Sequence, residues 1–476
     1  MTGALYLRIS DDVARQVATG ALRAGDRVPS LRQLSRQMRV SVTTALQAYL
    51  WLESRGVLES RPRSGFFVRA PERVIPIPRF EPRKARPAAV GTDAVLHDIV
   101  AEANEPSNVP FGVACADAAL FPTRKLNLIV RHVVRAQPRH SARYDFGAAA
   151  LRRQIARRAM SLRCAFSPED VTITSGGLEA INLCLRAVAR PGDVIAVESP
   201  TFFGILGCAA ALDMKVIEIP THPQDGMDLG ELDRAIRRHR IKACVVMSNC
   251  HNPLGYVLPD RAKKELVELT ARHGVAVIED DVYGDLSYAG SRPSSLKSFD
   301  RDDHVLVASS FSKSLSPGYR VGWVVAGRYQ AEVERLKLLT TVATPSLSQL
   351  VIAEFLESGG YDRHIRRMQS ELARQADLFR HGVASHFPEG TRVTRPAGGH
   401  MLWIELPPSV DAMALYRAAL ERHISILPGP IFSASGRFRH HIRINCGSGW
   451  TPAHEKALAT LGRLCASHIS ATARAT

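Results

Sequence analysis

The sequence is short of cysteine for its length. Eight are scattered over 476 residues, with no C-x-x-C pair and no Cys/His cluster at zinc-ligand spacing. A disulfide scaffold and a metal centre are therefore not expected, and the thiols suit a reducing cytoplasm. No apolar run approaches the roughly 20 residues that span a bilayer. Met1 to Ser10 lack the basic-then-apolar layout of an export signal, so a cytoplasmic chain with no membrane partner is expected. Lysine is also scarce, 10 of the 62 basic residues.

Composition is otherwise ordinary, with 45% hydrophobic and 23% charged residues, which excludes a mainly disordered or fibrous chain. At roughly 150 residues per domain the length suggests about three folded units. The informative number is the net charge of +16, with a pI near 9.8. Residues 1–90 carry 16 basic and 7 acidic groups, whereas the remaining 386 carry 46 and 39. More than half the excess lies in under a fifth of the chain. A basic head on a nearly balanced body points to nucleic acid at one end.

Apolar spacing predicts a helix over Leu5 to Ala18, closed by Gly20. Ser30 is placed to cap a helix over Leu31 to Met38, and Ser41 a third, running to about Arg55 before Gly56. Two β-like runs follow, Val57 to Ser60 and Phe66 to Arg69, joined by a basic tip. Three helices and a two-stranded ribbon describe a winged helix-turn-helix over residues 1–70. Pro71, Pro76, Pro78, Pro82 and Pro87 then mark residues 71–95 as a semi-extended linker. In the body, 96–476, short apolar runs such as Val194–Val197, Val275–Glu279 and Val305–Ser309 alternate with helical segments. That alternation predicts an α/β domain with a mostly parallel sheet over about 140–330. A smaller α/β part is expected over about 331–476, together with the segment after the linker.

On the third helix, Ser41, Thr43 and Thr44 are small polar residues at the turn that reaches base edges. Arg32 lies on the preceding helix, and Arg61 and Arg63 flank the wing tip, where phosphate or the minor groove is in reach. The stretch from Leu22 to Val68 resembles the winged helix of GntR-family bacterial regulators. The likeness rests on Gly25-Asp26, Pro29-Ser30-Leu31-Arg32, Val40-Ser41, Leu52-Glu53, Gly56 and Gly65. Many relatives carry arginine where this chain has Val42. The alternative, a small helical domain for protein contacts, leaves the basic wing unexplained.

The body carries "SSFSKSLSPGYRVGW", residues 309–323. A lysine among hydroxyl residues at a strand end can condense with a carbonyl cofactor through Lys313, with Ser310 and Arg320 on a phosphate. Asp280, at the C-terminal end of a strand, can pair with a protonated pyridine nitrogen. Tyr283 and Asn252 can donate to the ring oxygen. Ser175, Gly176 and Gly177 open a helix whose N–H groups would cradle phosphate, and Phe202 offers a flat surface for stacking. Each of these has a structural explanation taken singly; their joint order does not.

That order resembles the fold-type-I pyridoxal 5'-phosphate (PLP) aminotransferases over roughly residues 110–465. The resemblance implies Lys313 as Schiff-base lysine, Asp280 as pyridine partner, and Arg443 in "HHIRINCG" as the grip on a substrate carboxylate. Relatives carry a Pro-containing stretch between the aromatic residue and the glycine before "LRRQIARR". Here Phe146 runs directly into Gly147, two residues short of that pattern, so the resemblance assigns no role to Tyr144.

A GntR-like head, a linker and an aminotransferase-like body together look like the MocR subgroup of regulators. The resemblance implies a head-to-tail homodimer that binds double-stranded promoter DNA. It would sense PLP, or an amino acid or other small amino compound that forms an external aldimine. The alternative from another class is an active aminotransferase for aromatic or 2-aminoadipate-like amino acids, with a DNA-binding head. A nonspecific DNA binder would have no use for the cofactor pocket.

Overall fold

The computed structural model describes residues 5–61, 64–69, 75–90, 94–142 and 144–475. Two compact units are distinguished, Met1–Val74 and Ile75–Thr476.

The first unit has helices Leu5–Ala18, Leu31–Met38 and Val42–Ser54, then an antiparallel ribbon of Leu58–Arg61 and Gly65–Val68. The second helix begins because Ser30 and Gln33 form a reciprocal capping box: Ser30 Oγ accepts from the Gln33 N–H, and Gln33 Oε1 from the Ser30 N–H. It stops at Arg39, whose φ of 51° is left-handed, a conformation more often given to glycine. Ser41 then caps the third helix by accepting from the Thr44 N–H at 3.0 Å. Ile9, Val13, Leu34, Ala45, Tyr49 and Leu52 bury their side chains in one small core. The Tyr49 hydroxyl is satisfied by the Pro29 carbonyl at 2.9 Å.

The second unit is built on a nine-stranded sheet. Its order is Pro87–Ala89, Lys215–His222, Val194–Ser199, Ile241–Val246, Ala276–Asp280, Val305–Ser310, Gly322–Val325 and Val171–Thr174. The strand Gly226–Met227 pairs with Lys215–His222 off this path. Pairing is parallel from Lys215–His222 through Val305–Ser310 and antiparallel at both ends. Every residue of Val171–Thr174, Ala276–Asp280 and Val305–Ser310 is buried, the pattern of strands covered on both faces.

A smaller, four-stranded antiparallel sheet follows, ordered Arg392–Val393, Met401–Glu405, His441–Asn445, Leu427–Pro428. Ile424–Ser425 pairs in parallel with Val109–Pro110, joining the stretch after the proline-rich segment to the C-terminal part. One continuous hydrophobic core runs through the whole second unit.

The proline-rich segment departs from the expected semi-extended linker. Its described part, residues 75–90, is fastened to the body. Ile75 is buried in the main core, Pro76 accepts from the Val393 N–H at 3.0 Å, and the Ala85 N–H donates to Glu231 Oε1 at 2.7 Å. Pro87–Ala89 adds an edge strand to the sheet, in register Pro87↔Ile217. An edge strand needs donors on one side only, so proline at its first residue is tolerated. The prolines gave no alternating pattern by which to foresee it.

Candidate cofactor and nucleic-acid sites

Sheet topology explains how residues 138 positions apart in sequence, Ser175 and Lys313, reach one place. Val171–Thr174 runs in the same direction as the parallel strands, because two antiparallel pairings separate it from Val305–Ser310. The C-terminal ends of six strands therefore share one sheet edge, where α/β sheets bind ligands. Gly177, Phe202, Asn252, Asp280, Tyr283, Ser310, Lys313 and Arg320 line a cavity of about 140 Å3 at that edge.

Lys313 is half-buried and donates from Nζ to the Ala114 carbonyl at 2.6 Å. Burial lowers its pKa below the usual lysine value. Asp280 is buried and accepts a single long hydrogen bond, from the Val282 N–H at 3.4 Å. Burial pushes its carboxyl up to about 7, because nothing cationic is bonded to it. A protonated ring nitrogen is the partner such a carboxylate lacks. Asn252 is buried with Oδ1 unpartnered. Tyr283 is buried, its ring 5.4 Å from that of His400. Phe202 can flank the cavity because Gly204 has no side chain; a Cβ there would enter the Phe202 ring.

At the other end the helix Gly177–Val188 begins. A Cβ on Gly177 would lie 2.9 Å from Val282 Cγ1 and 3.4 Å from Ser310 Cβ, so glycine keeps this floor open. Ser310 Oγ donates to Ser312 Oγ at 2.9 Å, and Arg320 reaches Ser312 Oγ and the Ser175 carbonyl, both at 3.2 Å. Gly176 and Ser175 stand behind this floor rather than on it. Gly176, at φ 92°, makes room for the Arg320 guanidinium, and the Ser175 N–H is already taken by Glu179. Lys337, 3.0 Å from Glu179, holds that carboxylate in place.

Arg443 does not line the cavity, but it shares its electrostatics with Lys313, Tyr283 and His400. Its side chain is fully buried in the strand His441–Asn445. Nη2 donates to the Gly112 carbonyl, while Nε and Nη1 have no hydrogen-bond partner among the described residues. Burial lowers its pKa to about 10. A guanidinium kept dry with two unused donors suits a carboxylate brought by a ligand.

His400 was not evident in the sequence. Asn445 Oδ1 accepts from the Gly447 N–H at 2.8 Å, and its Nδ2 donates to the Cys115 carbonyl at 2.7 Å, which fixes the amide. His400 Nδ1, 3.1 Å from the same Oδ1, must then carry the ring proton, leaving Nε2 a bare, buried acceptor. Burial and the cations Lys313 and Arg443 push its pKa down to about 3, so the ring is neutral. Leu178, Ser312 and Ala114 also line the cavity without any sequence signal.

In the first unit, Arg32 and Thr43 are exposed on consecutive helices. Ser41 and Thr44 bond each other at 2.8 Å within the cap, so both hydroxyls are partly committed to starting the helix. Arg61 pairs with Glu59 at 2.7 Å and lies over Phe67. Arg63 lies outside the described residues. Arg36 and Arg39, exposed around the helix-turn-helix corner, add basic groups beyond those expected. Tyr144 and Phe146 are 75% and 69% exposed and leave the cavity unlined.

Residues 124–460 match the family "Aminotransferase class I and II", and residues 5–68 match "Bacterial regulatory proteins, gntR family". The chain is 37% identical over 468 residues to the uncharacterised HTH-type transcriptional regulator YdcR of Escherichia coli K12, covering 96% of this chain and 98% of that one. It is 30% identical over 284 residues to a 2-aminoadipate transaminase of Thermus thermophilus, covering 58% of this chain and 70% of the other. The crystal structure of LysN, the alpha-aminoadipate aminotransferase of Thermus thermophilus complexed with N-(5'-phosphopyridoxyl)-L-leucine, superposes with a TM-score of 0.74 at 25% identity. That match covers 80% of this chain and 96% of LysN. Among the described residues no helix is long and apolar enough to cross a membrane. The head implies DNA binding and the body implies a PLP site: this chain belongs to the GntR-family transcriptional regulators of MocR type, in which a winged helix-turn-helix is joined to an aminotransferase class I and II domain.

Proposed function

We propose that this regulator binds an operator through Arg32, Thr43 and the wing arginines Arg61 and Arg63, with Ser41 and Thr44 presenting the recognition helix. Its body reads a small amino compound on PLP. The observation that carries this reading is a set of under-satisfied buried groups: in the cavity lining, the Asp280 carboxylate with its single long hydrogen bond and Asn252 Oδ1, and outside the lining, two donors of Arg443. When bound, PLP supplies a carbonyl for amines and an electron-withdrawing pyridine ring. Lys313 holds that carbonyl, its amine favoured in the neutral form by burial. Asp280 faces the ring nitrogen, Tyr283 and Asn252 the ring oxygen, and Phe202 the ring face. Gly177, Ser310 and Arg320 hold the phosphate, with Ser175 and Gly176 behind them. Arg443 takes the carboxylate of an amino acid.

A homodimer, head-to-tail, completes the proposal. Leu178, at the cavity, is 46% exposed, and Leu338, Leu339, Tyr144 and Phe146 are exposed as well, an apolar set suited to a second copy. Effector binding then biases the dimer between two spacings of its recognition helices.

Lys313→Ala in the full chain should abolish the visible absorbance of bound PLP and make operator binding insensitive to amino acids. Unchanged absorbance would sink the lysine assignment. The second reading, a working aminotransferase for aromatic or 2-aminoadipate-like substrates, is favoured by Lys313 itself, a buried amine fit for proton transfer. Many turnovers of amino acid and 2-oxo acid would establish it; a single turnover or none favours the sensor.

A further inference from the structure

A second cavity of the body, about 330 Å3, shares no lining residue with the one around Lys313. Its volume is within the range of small-molecule sites. One wall is the segment from Pro78 to Arg83, the stretch through which the DNA-binding unit is attached. Ser435 to His440, His441 at the start of the strand His441–Asn445, and Trp403 line it as well.

The lining is unbalanced in charge, with Arg79, Arg83, Arg437 and Arg439 against Glu81 and Glu405. Glu405 is already committed: it accepts from the Arg79 N–H at 2.7 Å and lies 3.7 and 3.8 Å from the Arg79 and Arg392 guanidiniums. Arg439 is answered by Asp411 at 3.2 Å. Among the described residues the one ion pair of Arg437 is with Glu81, at 3.9 Å, its guanidinium also lies over Phe438 at 5.2 Å, and Arg83 has no ion pair. Burial lowers the proton affinity of Arg437 most; the carboxylates of Glu218 and Glu81 oppose that shift, and the nearby Arg83 adds to it. His441, stacked on Trp403 at 5.3 Å, keeps a buried Nδ1 with no hydrogen-bond partner among the described residues. Phe80 and Phe438 add aromatic surface to the lining.

We propose that this cavity is a second ligand site, for a planar aromatic anion whose charge lies between Arg83 and Arg437 and whose ring lies against Phe80 and Phe438. Its occupant pins the segment from Pro78 to Arg83 to the body. The site acts on the attachment of the DNA-binding unit without entering the PLP cavity.

The test uses PLP-loaded full-length protein titrated calorimetrically with 2-naphthoate and with its neutral isostere 2-naphthamide. Naphthoate should saturate one site per chain, and the amide should bind about tenfold weaker or worse, the loss expected when a charged hydrogen bond is removed. Arg437→Gln and Phe80→Ala should each weaken naphthoate by about tenfold. Phe80 lies on an outer segment, so its loss leaves the core intact if Arg437→Gln fails to fold. Naphthoate should also slow tryptic cleavage after Arg79 and Arg83 in the unaltered protein. No saturable binding, equal binding of acid and amide, or unaltered binding in both variants overturns the proposal. So does binding that disappears with Arg443→Gln and survives Arg437→Gln, which would put the anion beside Lys313.

Discussion

Replacing Arg443 with methionine should separate stability from recognition. In the ligand-free protein the guanidinium is buried, and its pKa is lowered from 12.5 to about 10. At pH 7, below both values, the group is charged folded and unfolded, so the whole penalty is present. At 1.36 kcal/mol per pKa unit this is about 3 kcal/mol against folding, fading only above about pH 10. Methionine is of similar length and removes that penalty. Against it stands the Nη2 bond to the Gly112 carbonyl, worth about 1–3 kcal/mol once the carbonyl is left unpaired. The balance is about 0–2 kcal/mol in favour of the variant, so calorimetry of cofactor-free protein should show an unchanged or higher melting temperature. Amino-acid affinity, followed through the absorbance of bound PLP, should fall. Removing one partner of a buried charge pair costs about 2–5 kcal/mol, or roughly thirtyfold to several thousandfold. A variant that melts several degrees lower without ligand, yet binds amino acids within about threefold of the original, would show that Arg443 is structural and refute the reasoning.

Asp280→Asn should be stabilising in cofactor-free protein, increasingly so from pH 4 to pH 8. The Asp280 carboxyl is raised from 3.8 to about 7, so folding is disfavoured as pH climbs through that window, and the amide does not titrate. Melting temperatures at four or five pH values test this; a constant difference would refute it. Gly177→Ala should weaken PLP binding by more than tenfold while leaving the helix content intact, because its Cβ meets Val282 and Ser310 on the phosphate floor. In the head, Ser41→Ala should cost about 1 kcal/mol of stability through the lost cap. Arg32→Ala should leave stability unchanged and reduce the salt dependence of operator binding by about one phosphate contact. Thermal melts and binding titrations at several salt concentrations distinguish the two.

The helices of the head were legible because each carries its own punctuation. Ser30 and Ser41 start two of them, and apolar spacing marks the face that meets Tyr49 and Leu52. The body strands were legible from short apolar runs between helical segments. Residues 87–89 were not, because an edge strand rich in proline and alanine has neither alternation nor β-branched side chains, and only the neighbouring Lys215–His222 makes it a strand. His400 was also silent, since a lone histidine after two glycines carries no signal until Asn445 fixes its tautomer. The place of Ser175 before Gly176 predicts a phosphate ligand, but its N–H goes to Glu179, a partner four residues on whose reach depends on Lys337.

By itself the sequence determined where local chemistry resides: a basic head with capped helices, a nearly neutral α/β body, and cation-bearing motifs at strand ends. Those properties depend on neighbours within a few residues, so they can be read along the chain. Only the tertiary structure decided which polar atoms are left without partners. Burial strips water from Asp280, Asn252, Arg443 and His441, and the fold brings partners to some of their atoms, such as the Gly112 carbonyl to Arg443, and not to others. Because an unpaired buried polar group is costly, those leftovers define what the protein is built to receive.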